Sequence, residues 1–342
     1  MKAVGYKQPS PIDDPDSLVD IEVPIPQVTK RDLLVEIKAV SVNPVDVKVR
    51  ASAAPDNSEY KILGWDAAGV VKEVGPETSL FKPGDDVYYA GSIARSGTNA
   101  EFHLVDERIV GKKPKRLSFA HAAALPLTTI TAWELLFDRF AVKPKQCADA
   151  RRLLIIGGAG GVGSILIQLA RKLTGLTVIA TASRPETRRW CLDLGAHYVI
   201  DHTKPFAEQL AALGSPAVEF IASLTATATH YPALVEVLAP QGKFGLIDDP
   251  VALDATPLKH KAASLHWEFM FARALFETRD MIAQYHLLNE VSDLVDAGVI
   301  RTTLAESFGA INAANLKKAH ALIESGRSRG KIVLEGFSSE AK

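Results

Sequence analysis

The chain has little sulfur. Its 342 residues include two cysteines and three methionines. Cys147 and Cys191 are far apart, so they exclude a cysteine-rich metal centre. A disulfide between them is not expected in a chain that reads as cytosolic. Net charge is nearly absent as well: 39 Lys and Arg against 40 Asp and Glu leave −1. That balance argues against a nucleic-acid footprint and against a polybasic membrane surface. No apolar run approaches the roughly 20 residues that span a bilayer. The opening MKAVGYKQPSPIDDPDS has too short an apolar segment for a secretory leader, with Pro and Asp following at once. There is no internal repeat and no low-complexity tract. The expectation is a cytoplasmic protein that acts on a small molecule, with no nucleic-acid or membrane partner.

What is present is glycine in one telling place. Leu153–Gly163 reads LLIIGGAGGVG, and SILIQLARKL follows. An apolar strand, a tight turn and an amphipathic helix fit this stretch, with Ile165, Leu166, Leu169 and Leu173 on one helical face. Gly158, Gly160 and Gly163 form a G-x-G-x-x-G pattern. The first permits the turn, the second lets backbone N–H groups reach a pyrophosphate, and the third lets helix pack on strand. The phosphates would sit at the helix N-terminus, where N–H groups and the macrodipole favour negative charge. A plain glycine turn is the alternative.

Around this motif the length suggests about two domains. Short strand candidates fill the first part, at Met1–Tyr6, Leu33–Val42, Ala67–Val74, Asp86–Ala90 and Ala100–Val105, with Gly- and Pro-rich turns between them. They predict a barrel-like β domain. Ser118 is placed to cap a helix over Phe119–Leu125, and Thr128–Phe140 reads as a longer helix. From residue 152 strands and helices alternate: strands at 152–156, 176–181, 198–201, 217–222, 243–247 and about 264–269, helices at 161–174, 186–194, 205–213 and 228–238. This order predicts a doubly wound parallel sheet. Helices at 274–298 and 312–325 and a strand at Lys331–Leu334 return to the β domain. The expected division is 1–127 with 272–342, and 128–271 inserted.

The second strand ends at Ser183-Arg184, and the first acid is Glu186. NAD sites place Asp or Glu here for the ribose 2′-hydroxyl. A hydroxyl and a guanidinium instead suit a 2′-phosphate, so the cofactor expected is NADPH. The plainer reading has Ser183 capping the next helix and Arg184 solvated.

Several stretches together, VSVNPVDVKVR, LGWDAAGVVKEVG, FKPGDDVYYAG, AEFHLVDE, LTTITAWELL, GGAGGVG and IESGRSRGKIVLEG, resemble the medium-chain dehydrogenases/reductases over essentially the full length. The nearest branch is the quinone oxidoreductases of the zinc-type alcohol dehydrogenase family. The resemblance implies an α/β chain: a GroES-like β-barrel catalytic domain, an inserted Rossmann domain, and a cofactor in the cleft between them. Dimerisation is a further family expectation, through the sixth strand.

In that family the catalytic zinc is held at positions that match Asn43, Trp65 and Leu127 here. None is a good zinc ligand, so no metal is expected. Asp46 and Asp66 remain nearby but make a poor zinc cage. Without a Lewis acid, quinones and α,β-unsaturated carbonyls are easier hydride acceptors than simple ketones, because their negative charge spreads over an enolate. The candidate catalytic residues are Asn43, to orient substrate or ribose; Asp46, to anchor the Asn43 loop; and Trp65, to wall the cleft. Their plain alternatives are an Asn-Pro turn, a solvated carboxylate at a helix start and a core tryptophan. The resemblance further implies cofactor contacts for Thr131 at a helix opening, Gly160, Gly161 and Val162 at the pyrophosphate, and Ser183 and Arg184 at the 2′-phosphate. It adds His202 near adenosine, Ile247 and Phe269–Phe271 near nicotinamide, and Lys331 on a phosphate. The loops Ala51–Tyr60 and Ser92–Asn99 are expected to supply pocket residues. Two rival readings stay open: a zinc-dependent alcohol dehydrogenase, and a non-catalytic NADPH-binding protein.

Overall fold

The computed structural model describes residues 1–55, 59–144 and 150–337. Cys147 and part of the Ala51–Tyr60 loop lie outside the described residues. The chain divides into two units, Met1–Ile130 with Phe271–Lys342, and Thr131–Met270. The divisions fall at 130/131 and 270/271 instead of the expected 127/128 and 271/272. Phe271 goes with the first unit because its ring packs edge-on against Trp65, centroids 6.1 Å apart.

The first unit is built on the long strand Asp32–Val42. Ala67–Val74 lies antiparallel to most of its length. Phe102–Asp106 pairs with its first half and Lys331–Glu335 with its second. Asp86–Tyr89 and Val110–Lys112 extend the sheet on one side, and Leu304–Ser307 runs parallel to the last strand on the other. A separate antiparallel sheet joins Val19–Glu22, Lys2–Tyr6 and Lys61–Ile62. The chain's last strand therefore returns to the β unit, and Ile332 lies opposite Val42. That register brings Lys331 beside Asn43.

Pro44–Ser52 is a helix in spite of the β-branched residues of VDVKV, and two expectations change beyond it. Asn43 caps it and Pro44 takes the first helical position, where a missing N–H does no harm. The helix expected at 274–298 is two helices, Ala272–Leu275 and Ala283–Asp296. Between them Glu277 has φ 44° and Arg273 pairs with Asp280 at 3.0 Å, so the chain turns where periodicity alone reads through. The helix expected at 128–140 runs Pro126–Trp133 and then widens into a π turn at Glu134–Arg139.

The second unit is a six-stranded parallel sheet. Its order is Tyr198–Ile200, Thr177–Thr181, Arg152–Ile156, Val218–Ser223, Leu238–Leu246, Ser264–Trp267. Helices Gly161–Leu173, Pro185–Asp193, Phe206–Ala212 and Thr227–Val237 make the crossovers. The fifth strand starts at Leu238, earlier than expected, and the sixth stops at Trp267. Strand order reverses between Arg152–Ile156 and Val218–Ser223, and at such a switch point a ligand binds beyond the carboxyl ends of the strands. Ile165, Leu166, Ile167, Leu169 and Ala170 bury the inner face of the first crossover helix.

Candidate active site and cofactor site

At the switch point, strand Arg152–Ile156 runs into Gly157, whose φ is +79°. The turn therefore needs glycine at Gly157, not at Gly158 as expected. Gly158 is required for a different reason: a Cβ there would lie 2.8 Å from the Cβ of Ala180 on the next strand. A Cβ on Gly163 would stand 2.4 Å from the Gly157 carbonyl and 2.6 Å from that of Gly158, so only glycine lets the helix sit this close. Gly160 differs from both. Its nearest neighbour to a built Cβ is the Gly157 carbonyl at 3.4 Å, an ordinary contact, so the protein's own packing does not demand glycine here. Gly160 is the N-cap of helix Gly161–Leu173, and no side chain caps it. The first helical bond is from Ser164 N–H to the Gly160 carbonyl. The N–H groups of Gly161, Val162 and Gly163 come before it and have no intrahelical acceptor. An open N-terminus at a switch point fits a dinucleotide pyrophosphate.

The rest of this rim is built from the neighbouring strand ends. Ser183 stands between buried Ala182 and Arg184, and Arg184, not Ser183, is the cap of helix Pro185–Asp193. The Arg184 guanidinium pairs with Glu186 at 3.1 Å. His202 lies just past the third strand, its ring edge-on to His230 with centroids 6.1 Å apart. Ile247 follows the fifth strand and donates to the Ser223 carbonyl at 3.4 Å. Ser223 and Thr227 share a hydroxyl bond of 2.7 Å, and Thr227 N–H donates to Asp248 at 2.9 Å. This serine–threonine–aspartate chain holds the crossover beside Gly157 and was not foreseen. Thr131 is inside helix Pro126–Trp133, not at its opening.

In the first unit, Asn43, Asp46, Asp66 and Lys331 form one buried network, each no more than 3% exposed. Lys331 Nζ donates to Asn43 Oδ1 at 2.5 Å and to the Val42 carbonyl at 3.0 Å, and pairs with Asp66 Oδ2 at 3.0 Å. Three acceptors match the three protons of an ammonium. Lys331, expected on a cofactor phosphate, has these internal partners in the structure. Asn43 Nδ2 donates to Asp66 Oδ2 at 2.9 Å, so both ends of its amide are committed. Asn43, expected to orient substrate or ribose, cross-links the ends of these strands. Asp66 Oδ1 accepts from Leu127 N–H at 2.9 Å. Burial raises the Asp66 carboxyl above its ordinary range, against the pull of Lys331.

Asp46 caps the helix with a bond from Asn43 N–H to Oδ2 of 2.6 Å. It anchors the Asn43 turn and is buried, not solvated. Burial pushes its carboxyl up to about 7, with Asp66 adding and the Asn43 N–H and Lys331 opposing. The folded state then binds this proton more tightly than the unfolded chain, whose aspartates titrate near ~3.9. Stability is fullest below that value and falls as pH rises through about 7. In urea titrations at pH 5 and pH 8 the wild type should lose roughly 2 kcal/mol more than Asp46→Asn. Parallel pH curves for the two proteins would refute this assignment.

Trp65 is a core residue. It is 1% exposed, its indole donates to the Ser92 carbonyl at 3.1 Å, and its ring meets Phe271. Phe271, expected near the nicotinamide, is likewise buried against it, 3% exposed. Zinc does not fit this set: Asn43 is saturated, Trp65 offers no lone pair, Leu127 has no donor, and an ammonium stands among the carboxylates. No group of three His, Cys, Asp or Glu side chains among the described residues is arranged to hold a metal ion.

A second buried cluster escaped sequence reading. Arg139 Nε donates to Glu268 Oε2 at 2.9 Å, and its Nη2 is 3.8 Å from Glu134. Burial, then the neighbouring Glu134, raises the Glu268 carboxyl against the pull of Arg139. The π turn aligns Glu134 and Arg139, and α-helical spacing gives no hint of it.

Comparison with known proteins fits these parts. The family model of the alcohol dehydrogenase GroES-like domain matches residues 29–115, and that of the zinc-binding dehydrogenases matches 194–334. A zinc-type alcohol dehydrogenase-like protein of Staphylococcus aureus is 38% identical over 98% of this chain and 99% of its own. A Rhizobium etli protein, provisionally named a zinc-dependent alcohol dehydrogenase, has a crystal structure that superposes with TM-score 0.96 at 60% identity, covering 99% of both chains. The quinone oxidoreductase of Coxiella burnetii superposes with TM-score 0.79 at 26% identity, over 98% of this chain and 99% of its own. The chain therefore belongs to the zinc-type alcohol dehydrogenase family of medium-chain dehydrogenases/reductases, as an oxidoreductase with a GroES-like part and an inserted Rossmann sheet.

Proposed function

We propose that the protein is an NADPH-dependent reductase of quinones or α,β-unsaturated carbonyls that works without zinc. The observation that carries this reading is the fate of the three zinc positions, Asn43, Trp65 and Leu127, which hold no free ligand atom between them. When bound, NADPH supplies a hydride at nicotinamide C4. Gly161, Val162 and Gly163 offer their N–H groups to the pyrophosphate, and the Ser183–Arg184 rim meets the 2′-phosphate. Lys331 and Asp66 neutralise one another, so neither gives a reacting oxygen the charge stabilisation a zinc ion would. A substrate that delocalises its own negative charge suits such a site. The quinone oxidoreductase of similar fold supports the substrate class.

We further propose a cytoplasmic homodimer paired through the edge strand Ser264–Trp267, where Trp267 and Phe269 are 52% and 47% exposed. Among the described residues no helix is long and apolar enough to cross a membrane.

The reading is tested by following NADPH and NADH oxidation with 1,4-benzoquinone, 9,10-phenanthrenequinone and an alkenal, with and without EDTA. NADPH oxidation that EDTA leaves unchanged, in protein with far less than one zinc per chain, is expected. Activity that EDTA abolishes and zinc restores would favour an alcohol dehydrogenase. Tight NADPH binding with no turnover would favour a non-catalytic role.

A further inference from the structure

Two guanidinium groups belong to the rim where the second strand, Thr177–Thr181, meets helix Pro185–Asp193, and the structure treats them differently. Arg184 is paired with Glu186 at 3.1 Å, with side chains 40% and 56% exposed. Glu186 lies in the first turn of that helix, where the N-terminal dipole favours a carboxylate, so the pair has support on both sides. The sequence offers Arg184 to the phosphate; in the structure it has a carboxylate partner beside it as well.

Arg188 is one turn further on, its N–H bonded to the Arg184 carbonyl at 2.9 Å. Its side chain reaches back to the sheet. Nη1 donates to the Ala182 carbonyl at 3.3 Å and Nη2 to the Val199 carbonyl at 2.9 Å. Ala182 directly follows the second strand, and Val199 lies on the third, paired with Ala180. Among the described residues no carboxylate pairs with Arg188. Two neutral carbonyl dipoles fix its position and leave its charge uncancelled. A planar group held in place loses little freedom on binding an anion. The carboxyl end of the second strand is where an adenosine ribose presents its 2′-substituent.

We infer that Arg188 is the principal cation for the 2′-phosphate of NADPH, and that Glu186 attenuates Arg184. This rests on the NADPH reading above. It makes Arg188 and Glu186 determinants of cofactor specificity, in opposite directions.

The experiment is equilibrium binding of NADPH and NADH to the full chain by nucleotide fluorescence, with 2′,5′-ADP and 5′-AMP as competitors. Arg188→Met should weaken NADPH and 2′,5′-ADP about 10- to 100-fold, the range of one hydrogen-bonded charge. NADH and 5′-AMP should be unaffected, which also shows that the rim is intact. Arg184→Met should weaken NADPH no more than about 3-fold, the scale of an exposed, already paired charge. Glu186→Gln should tighten NADPH by a similar factor. An unchanged NADPH-to-NADH ratio in Arg188→Met would overturn the inference, as would a ratio that collapses in Arg184→Met instead. Equal loss of both nucleotides in Arg188→Met would make Arg188 a strut of the rim and also overturn it. If the wild type prefers NADH, the NADPH reading fails first and takes this one with it. If the wild type prefers NADPH and only the variants disagree, the reading stands and Arg188 falls alone.

Discussion

Lys331→Met is expected to destabilise the protein by about 3–5 kcal/mol, the cost of leaving one partner of a buried ion pair uncompensated. Lys331 and Asp66 are 3% and 0% exposed in their side chains, so solvent cannot take over the lost role. Methionine fills much of the volume but donates nothing to Asp66, to Asn43 Oδ1 or to the Val42 carbonyl. Asp66 would then take up a proton, because its remaining support is the Leu127 N–H and the Asn43 amide. Chemical denaturation of the purified variant measures the effect. The pair also predicts its own rescue. Asp66→Asn in the Lys331→Met background removes the acid that must otherwise be protonated or left charged, so the double variant should be more stable than Lys331→Met alone. A single variant within about 1 kcal/mol of wild type would place the pair among weak surface bridges and refute the assignment.

Gly163→Ala is expected to abolish measurable cofactor binding while the sheet still folds. The added methyl would meet two backbone carbonyls at 2.4 and 2.6 Å, and backbone cannot swing aside as a flexible side chain can. The helix must move away from the strand, taking with it the N–H groups of Gly161 and Val162. Each hydrogen bond to a charged phosphate is worth about 1.5–3 kcal/mol, a factor of ten or more apiece. Overpacking of this kind costs the fold only about 1–3 kcal/mol. Gly160→Ala separates packing from binding. Its methyl would have only an ordinary 3.4 Å contact within the protein, so stability should stay near wild type. Binding should still fall, because the methyl projects where a pyrophosphate approaches. Circular dichroism and nucleotide fluorescence on both variants suffice. Wild-type affinity in Gly163→Ala would show that the loop is not the phosphate cradle.

The two variants probe different kinds of information. The glycine loop was legible because its requirements are local. A strand, a positive φ, a close helix and an open N-terminus all fall within Leu153–Leu173, and residue types report each of them. Even so, the pattern assigned the turn to Gly158, and only backbone angles move it to Gly157. Arg184 was legible as a cation at the right strand end. That Glu186 pairs with it is a matter of rotamers, and that Arg188 folds back onto two carbonyls is a matter of helix direction.

The first unit's network was not legible in this way. Asn43 and Lys331 are 288 residues apart, and strand register brings them together. Taken singly, Asn43 suggests a role toward substrate and Lys331 one toward phosphate; that they bond each other and Asp66 is visible only in the folded chain. Trp65 shows the same thing in apolar form, since Phe271 and Ser92 close around it from distant segments. The Glu134–Arg139–Glu268 cluster needs a π turn and the end of an edge strand to meet.

The sequence by itself determined the parallel sheet with its helical crossovers, the glycine turn between the first strand and its helix, the return of the last strand to the β unit, and the unsuitability of Asn43, Trp65 and Leu127 as zinc ligands. These follow from periodicity, turn chemistry and ligand chemistry, which act over a few residues or at single atoms. Only the tertiary structure decided which charges meet: Lys331 with Asp66, Arg139 with Glu268, Arg184 with Glu186, and Arg188 with no carboxylate among the described residues. Charge pairing depends on separations of a few ångströms in a medium of low polarisability, and those separations exist only after distant strands and helix ends have been brought together.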